Sequence, residues 1–475
     1  MSPSSHPDIL ARAVTAQVSL TPLKPALIGG QAHTLAVLVR VQAPDANLAR
    51  PQVRRPFHLS LVIDQSGAMN SQRLSEALRC THDLFRRLQP TDVVSMVTFD
   101  HRASLLAPAR PVGDQSAQHH VRAFAQGGGN TSLHGGWATG ADSLLPDAAS
   151  ASIARIILLT DGNASTGDRG KTPAIAAHCT AAAARGVTTS TYGLGREFDE
   201  SLLTTMARAG GGNPYYGENT ADLFEPFAEE FDLISSLYAR QVRLSIATCT
   251  GVGMRVLNDY PMEPRLGAPA VSLPDVAWGA EAWALVELSI PAGFVPLPGV
   301  PLIQASVTAT SLDHAPIPFP EATLSIDRVS PQAWGALTAD PLVHARHAEV
   351  EASRLLEQAR DAACAGDWDQ AQGLIDGARD RFADQPWPQA VLASLGRIAR
   401  QQDKGWFGKE SLYIATRMRS RLVSRREARY DALQEAAMPR FLRRDTALGH
   451  KGCTGGDSGL DGGASNHREC CSAHA

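Results

Sequence analysis

Two apolar runs, FHLSLVID at 57–64 and IARIILLTD at 153–161, set the tightest limit on how this chain can fold. The second is apolar almost throughout and lacks the alternation of a strand with one wet face. It therefore belongs in the middle of a parallel sheet covered on both sides. Each run closes on an aspartate, Asp64 and Asp161. Strand and helix patterns alternate around them. Ser71–Leu88 puts Leu74, Ala77, Leu78, Leu84 and Phe85 on one helical face. Val93–Phe99 reads as a strand, with Ala103–Leu106 as a short antiparallel partner. GGGNTSLHGG opens a further helix. A helix at Pro173–Arg185, a strand at Val187–Tyr192, a helix from Asp199, a turn and strand at GGGNPYY and a helix over Ala221–Tyr238 complete the series. This order predicts an open, mostly parallel, doubly wound α/β sheet.

The flanks read differently. Thr15–Ser19 and Thr34–Val41 alternate polar and apolar residues around a Pro/Gly turn, and VRLSIAT, WALVELSI and QASVTATS do the same after Arg240. Strands on both sides of the α/β segment predict a β-sandwich into which that segment is inserted. From Ser330 the pattern becomes helical: Leu342–Ala365 and Asp367–Phe382 form a hairpin around AGDW, and Pro388–Gln401 follows. The expected organisation is a β segment at 1–54, the α/β domain at 55–239, the rest of the sandwich at 240–329, an α-helical domain at 330–445 and a disordered, Gly-rich tail at 446–475.

Bulk properties narrow the function. A chain of 475 residues, 44% hydrophobic and 19% charged with a net charge of −4, reads as a folded protein of two or three domains. Nothing global points to nucleic acid or to an anionic membrane. No run approaches the ~18 apolar residues of a membrane span. The start MSPSSHPDILARAV lacks a secretory pattern, and Cys80, Cys179, Cys249 and Cys364 are too scattered for a disulfide framework. The expected setting is cytoplasmic.

Three loops gather oxygen ligands where an open α/β sheet binds its ligands, beyond the carboxyl ends of its strands. They are Asp64-Gln65-Ser66-Gly67-Ala68, Asn130-Thr131-Ser132 and Thr160-Asp161-Gly162. Two carboxylates with serine and threonine hydroxyls suit a hard divalent cation. In this order, VIDQSGAM, GGNTSLHGG and ILLTDG resemble the metal-ion-dependent adhesion site of the von Willebrand factor A family. The resemblance covers about 55–240 and implies a Rossmann-like domain, with Asp64, Ser66, Thr131 and Asp161 as metal ligands. It also implies Mg²⁺, with Mn²⁺ or Ca²⁺ as alternatives, and a protein partner that completes the metal shell with an Asp or Glu carboxylate. Ala68 stands where the family carries a second serine, so one ligand is replaced by water and affinity is weakened. Gln65, Met69, Asn70, His134 and Asn163 are candidate rim residues, although local packing is the simpler role for His134.

Other readings stand beside this one. The loops could be a relic site on a metal-independent scaffold. Asp64 and Asp161 could serve a Mg²⁺-dependent hydrolase with Ser66 as nucleophile, yet no base is placed for Ser66, and neither a G-x-S-x-G elbow nor a phosphate-binding loop occurs. The expectation is a binding protein, not an enzyme. Residues 396–444 hold 13 Lys/Arg against 5 Asp/Glu, but RMRSRLVSRREARYDAL has a helical pattern that suits a solvated face or a protein contact better than nucleic acid. Cys453, His467, Cys470, Cys471 and His474 match no zinc-finger spacing.

Overall fold

The computed structural model describes residues 15–44, 56–66, 79, 81–82, 84–114, 131–144, 153–161, 171–195, 198–217, 230–231, 233–263 and 270–420. Ala68, Met69, Asn70, the glycines at 127–129, Asn130, Gly162, Asn163, most of the helix expected at 71–88, the basic run beyond 420 and the tail lie outside them.

Strands β1 (Gln17–Pro22), β2 (Leu27–Ile28) and β3 (His33–Gln42) open the chain. Then come β4 (Phe57–Asp64), β5 (Val93–Phe99), β6 (Ala103–Pro111), α1 (Leu133–Leu144), β7 (Ile153–Thr160), α2 (Thr172–Ala184), β8 (Val187–Leu194), α3 (Glu200–Ala209) and β9 (Gly211–Gly217). These strands form a six-stranded sheet in the order β6-β5-β4-β7-β8-β9, parallel except for β6. β4 and β7 lie at its centre, as their apolar density requires. Phe57, Leu59, Leu61 and Ile63 face a core that includes Phe231 and Ile234, while Val62, Val97 and Leu158 face Leu133, Trp137 and Met206. α1 lies close against the sheet because it presents glycines there: a Cβ on Gly136 would sit 2.5 Å from the Phe99 ring, and one on Gly140 2.5 Å from Val62 Cγ2.

The chain continues through β10 (Leu237–Thr248), β11 (Gly253–Val256), β12 (Met262–Glu263), β13 (Ala270–Ser272), β14 (Val276–Ala277), β15 (Glu281–Ile290), β16 (Ile303–Thr310), β17 (Pro316–Pro318), β18 (Ala322–Leu324) and β19 (Arg328–Val329). β3 pairs along its whole length with β15, from Gln42 opposite Glu281 to His33 opposite Ile290. The β1-β3-β15-β11 sheet packs on the sheet containing β13, β10 and β16 through Val37, Val39, Val286, Leu244, Ile246 and Val307. N-terminal and later strands thus share one sandwich, with the α/β sheet between them in sequence. The other face of β3 and β15 is buried as well. Leu38, Trp283 and Leu285 meet Val343 and Val350 of the helix at Pro341–Ala365, and the Arg346 guanidinium lies 4.9 Å from the Trp283 ring centre.

The helices α4 (Pro331–Ala336), α5 (Pro341–Ala365), α6 (Trp368–Arg381), α7 (Pro386–Ala399) and α8 (Lys404–Ser420) follow. Asp340 and Asp367 cap α5 and α6 by accepting backbone N–H groups, and Gly366, at φ 87°, ends α5 in the left-handed region. No helix among the described residues is long and apolar enough to cross a membrane.

Three expectations need correction. The helix expected to reach Tyr238 ends earlier, because Leu237 and Tyr238 already belong to β10, where Tyr238 packs edge-on against Trp278 at 4.6 Å. The helix expected from Pro388 begins at Pro386, where proline suits the first turn. β6 runs to Pro111, well beyond Leu106.

A buried charge network joins the sheet to the sandwich. Arg155, 1% exposed, donates to the Glu230 carboxylate and, through Nε, to Thr188 Oγ1 at 2.9 Å. Glu230 also accepts from Ser190 (2.6 Å), Asn213 (2.9 Å) and Tyr215 (2.7 Å). Burial pushes its acidity down, but Arg155 and these donors more than offset that and hold the carboxyl below its ordinary range. Asp275, beyond β13, lies 3.8 Å from Arg155 and accepts the Gln241 N–H at 3.0 Å. Removing one member of such a pair strands the other in a dry site. Glu230→Gln is expected to cost about 3–5 kcal/mol, against less than about 1 kcal/mol for Glu287→Gln in the exposed pair with Arg255. Urea unfolding midpoints of the two variants compare them, and equal, small shifts would remove the network as a structural tie.

Candidate metal centre

β4 delivers Asp64 to the carboxyl edge of the sheet, and β7 delivers Thr160 and then Asp161 beside it; Ile63 pairs with Leu159 in the parallel register. Asp64 and Asp161 are fully buried. One Asp64 oxygen accepts the Ser66 N–H at 2.8 Å and the other accepts from the Thr160 hydroxyl. The turn after β4 is fixed by the Gln65 N–H, which donates to Phe99 O at 2.8 Å. Ser66 is 1% exposed, and its hydroxyl has no hydrogen bond of ordinary geometry among the described residues, although it lies near enough to Asp64 to favour the ionised carboxylate slightly.

The third strand end holds the loop that carries Thr131. Asp100 O, just beyond β5, accepts the Ser132 N–H at 2.6 Å, and the Asp100 carboxylate accepts the Arg102 N–H at 2.9 Å. His101 Nδ1 is 2.9 Å from the same carboxylate. Thr131 is itself buried. Asp100 escaped the sequence reading, although it follows β5 as Asp161 follows β7, and that parallel was the available signal. His134 turns away from the oxygen cluster toward α2, with Nε2 3.0 Å from His178 Nδ1.

Among the described residues no three or more His, Cys, Asp or Glu side chains cluster as a metal site. Among the described residues, an ion here would draw on hydroxyls as well as on Asp64 and Asp161. The donor set fits a hard cation: it is all oxygen, it is buried, and it includes a serine hydroxyl with no other described partner. Burial pushes the Asp64 carboxyl up to about 6, against the hydrogen bonds from Thr160 and Ser66, with the Asp161 charge adding to the rise.

The sign of this shift gives a test. An acid whose pKa rises from 3.8 to about 6 on folding contributes full stability below the lower value and loses it as pH rises through the upper one. Cation-free protein is expected to lose up to about 3 kcal/mol from this group between pH 4 and pH 7. Asp64→Asn should flatten that window in denaturant titrations. Parallel profiles for the two proteins would contradict the desolvated carboxylate.

Residues 58–229 match the von Willebrand factor type A domain family. An uncharacterized protein from Synechocystis sp. is 30% identical over 189 residues, which is 39% of this chain and 43% of that protein. The chain therefore spans less than half the length of this curated relative. Among solved structures, a von Willebrand factor type A protein from Catenulispora acidiphila is similar with a TM-score of 0.65 at 15% identity, over 86% of this chain and 98% of the other. The ArnB paralog VWA2 from Sulfolobus acidocaldarius gives 0.56 at 19% identity, over 85% and 98%. At these identities the likeness is one of fold, and its coverage takes in flanking regions as well as the α/β sheet.

Proposed function

Because residues 58–229 form a von Willebrand factor type A domain, a protein-interaction module, we propose that this chain binds a protein partner through the carboxyl edge of its six-stranded sheet in a divalent-cation-dependent manner. Asp64, Ser66, Thr131 and Asp161 would hold the ion, with Mg²⁺ the first choice for an all-oxygen set and Mn²⁺ or Ca²⁺ as substitutes. The observation that carries this reading is the buried Ser66 hydroxyl, which makes no hydrogen bond of ordinary geometry among the described residues and lies beside a desolvated Asp64. A group that costs free energy to bury unpaired is explained if it serves as a ligand.

When bound, a divalent cation there supplies an electrophilic centre whose remaining position a partner's Asp or Glu carboxylate can fill. The chain's own groups do the rest. Thr160 orients Asp64, the Ser66 N–H fixes the turn that aims the Ser66 hydroxyl, and Asp100 O holds the loop bearing Thr131. Ala68, where the family pattern has serine, leaves one position to water and lowers affinity. We favour binding over catalysis because the matched family is in general an interaction module. The proposed setting is cytoplasmic, with the sandwich and helices acting as a scaffold for the sheet.

The test is co-purification of partners with wild-type and Asp64→Ala protein, in Mg²⁺ and in EDTA. Partners are expected only with wild type in Mg²⁺, together with a Mg²⁺-induced rise in melting temperature that Asp161→Ala abolishes. A partner retained equally in all arms would leave an interaction role without the metal, which is the relic-site reading.

A further inference from the structure

We infer that His134 and His178 form a separate site for a borderline transition-metal ion, Zn²⁺, Ni²⁺ or Cu²⁺, which would bridge α1 and α2. His134 Nε2 and His178 Nδ1 are 3.0 Å apart. The ring centres are 5.1 Å apart and the ring planes differ by 23°. The centres thus exceed the nitrogen separation by 2.1 Å, no more than the two ring radii. The imidazoles therefore meet nitrogen to nitrogen and almost in one plane, sharing a proton, rather than lying face to face.

A metal ion can take the place of such a proton if the rings tilt, since their nitrogens face each other head-on. At a metal–nitrogen distance of about 2.0–2.1 Å, two ligating nitrogens lie roughly 2.9 Å apart at a right angle and roughly 3.3–3.4 Å apart at the tetrahedral angle. The observed separation already falls at the lower end of that range, so only the directions of the lone pairs must change. The two rings are unequally free to turn. His134 is half-buried and lies parallel to the buried Trp137 ring, 12° apart in plane with centres 6.0 Å apart. Trp137 is anchored in turn, since its indole N–H donates to Thr189 Oγ1 at 3.0 Å. His178 is exposed on α2 and can swing. One ligand is thus held in place and the other supplies the adjustment.

Ligation by both facing nitrogens requires the tautomer in which each ring carries its proton on the other nitrogen. Imidazole nitrogen suits Zn²⁺, Ni²⁺ and Cu²⁺, whereas Mg²⁺ and Ca²⁺ demand oxygen. The pair therefore selects a different ion from the Asp64 cluster, and the inference does not depend on that cluster being occupied. Its position gives it a consequence for the loops: α1 begins two residues after Thr131, and α2 is the first described helix after Asp161.

Equilibrium dialysis of the full, EDTA-stripped chain against Zn²⁺ and against Ni²⁺ tests the site. Wild type, His134→Gln, His178→Gln and Asp161→Ala are compared, and the count is read as a difference because the chain has 15 His and 7 Cys. Each histidine variant is expected to lose the same single equivalent, while Asp161→Ala keeps it. Cu²⁺ bound to wild type should show two imidazole nitrogens by electron paramagnetic resonance, and each variant one fewer. Unchanged stoichiometry in both histidine variants would overturn the inference. So would loss of the equivalent in Asp161→Ala alone, which would place the ion in the oxygen cluster.

Discussion

A guanidinium removed from water persists only where carboxylates compensate it, and Arg155 finds its principal partner in Glu230, 75 residues further along the chain. This interaction fixes how the molecule is assembled. Arg155 sits on β7, the strand that leads into the candidate ligand Asp161. Glu230 sits on the last helix of the α/β region, and Asp275 brings in the sandwich. One buried cation thus gives the central strand a defined position relative to both neighbours. The surrounding hydroxyl, amide and phenol donors satisfy the remaining lone pairs of Glu230, without which burial would be unfavourable.

The same need for satisfied partners governs the other end of the sheet. Asp64 is as deeply buried as Arg155 but meets no described cation, only hydroxyl and amide donors, and its acidity is correspondingly weak. The helical region reaches this side of the sheet as well. Lys409 of α8 donates to Phe198 O at 3.1 Å and meets Glu200 at 3.1 Å, Arg360 meets Glu200 at 3.3 Å, and Tyr413 stacks on Tyr216. The loop between β8 and α3 is therefore braced by a helix that follows it by some two hundred residues.

Much of this was legible in the sequence, for identifiable reasons. Parallel strands buried on both faces leave dense apolar runs, so β4 and β7 were visible, and the aspartates that close those runs lie at the carboxyl edge of the sheet. Return of the polar–apolar alternation after Arg240 indicated a sandwich resuming, and β3 does pair with β15. Partners distant in sequence were not legible. Arg155 passed unremarked inside an apolar run, because nothing near it in sequence names Glu230. The end of the last α/β helix was misplaced because LYARQV carries no turn residue to separate helix from strand. Asp100 acts largely through its backbone carbonyl, which side-chain motifs do not register.

The absence of a turn sequence before β10 has a mechanical meaning. Only Ser236 separates the last helical residue of the α/β region from β10, and β10 pairs with β13, β14 and β16. One residue spans less than about 4 Å, too little chain to absorb displacement. A load applied at the carboxyl edge can pass down β7 to Arg155, across to the Glu230 helix and directly into the sandwich ladder. At this junction the α/β domain is joined by a strut rather than a tether, so a force on it is a force on the whole sandwich.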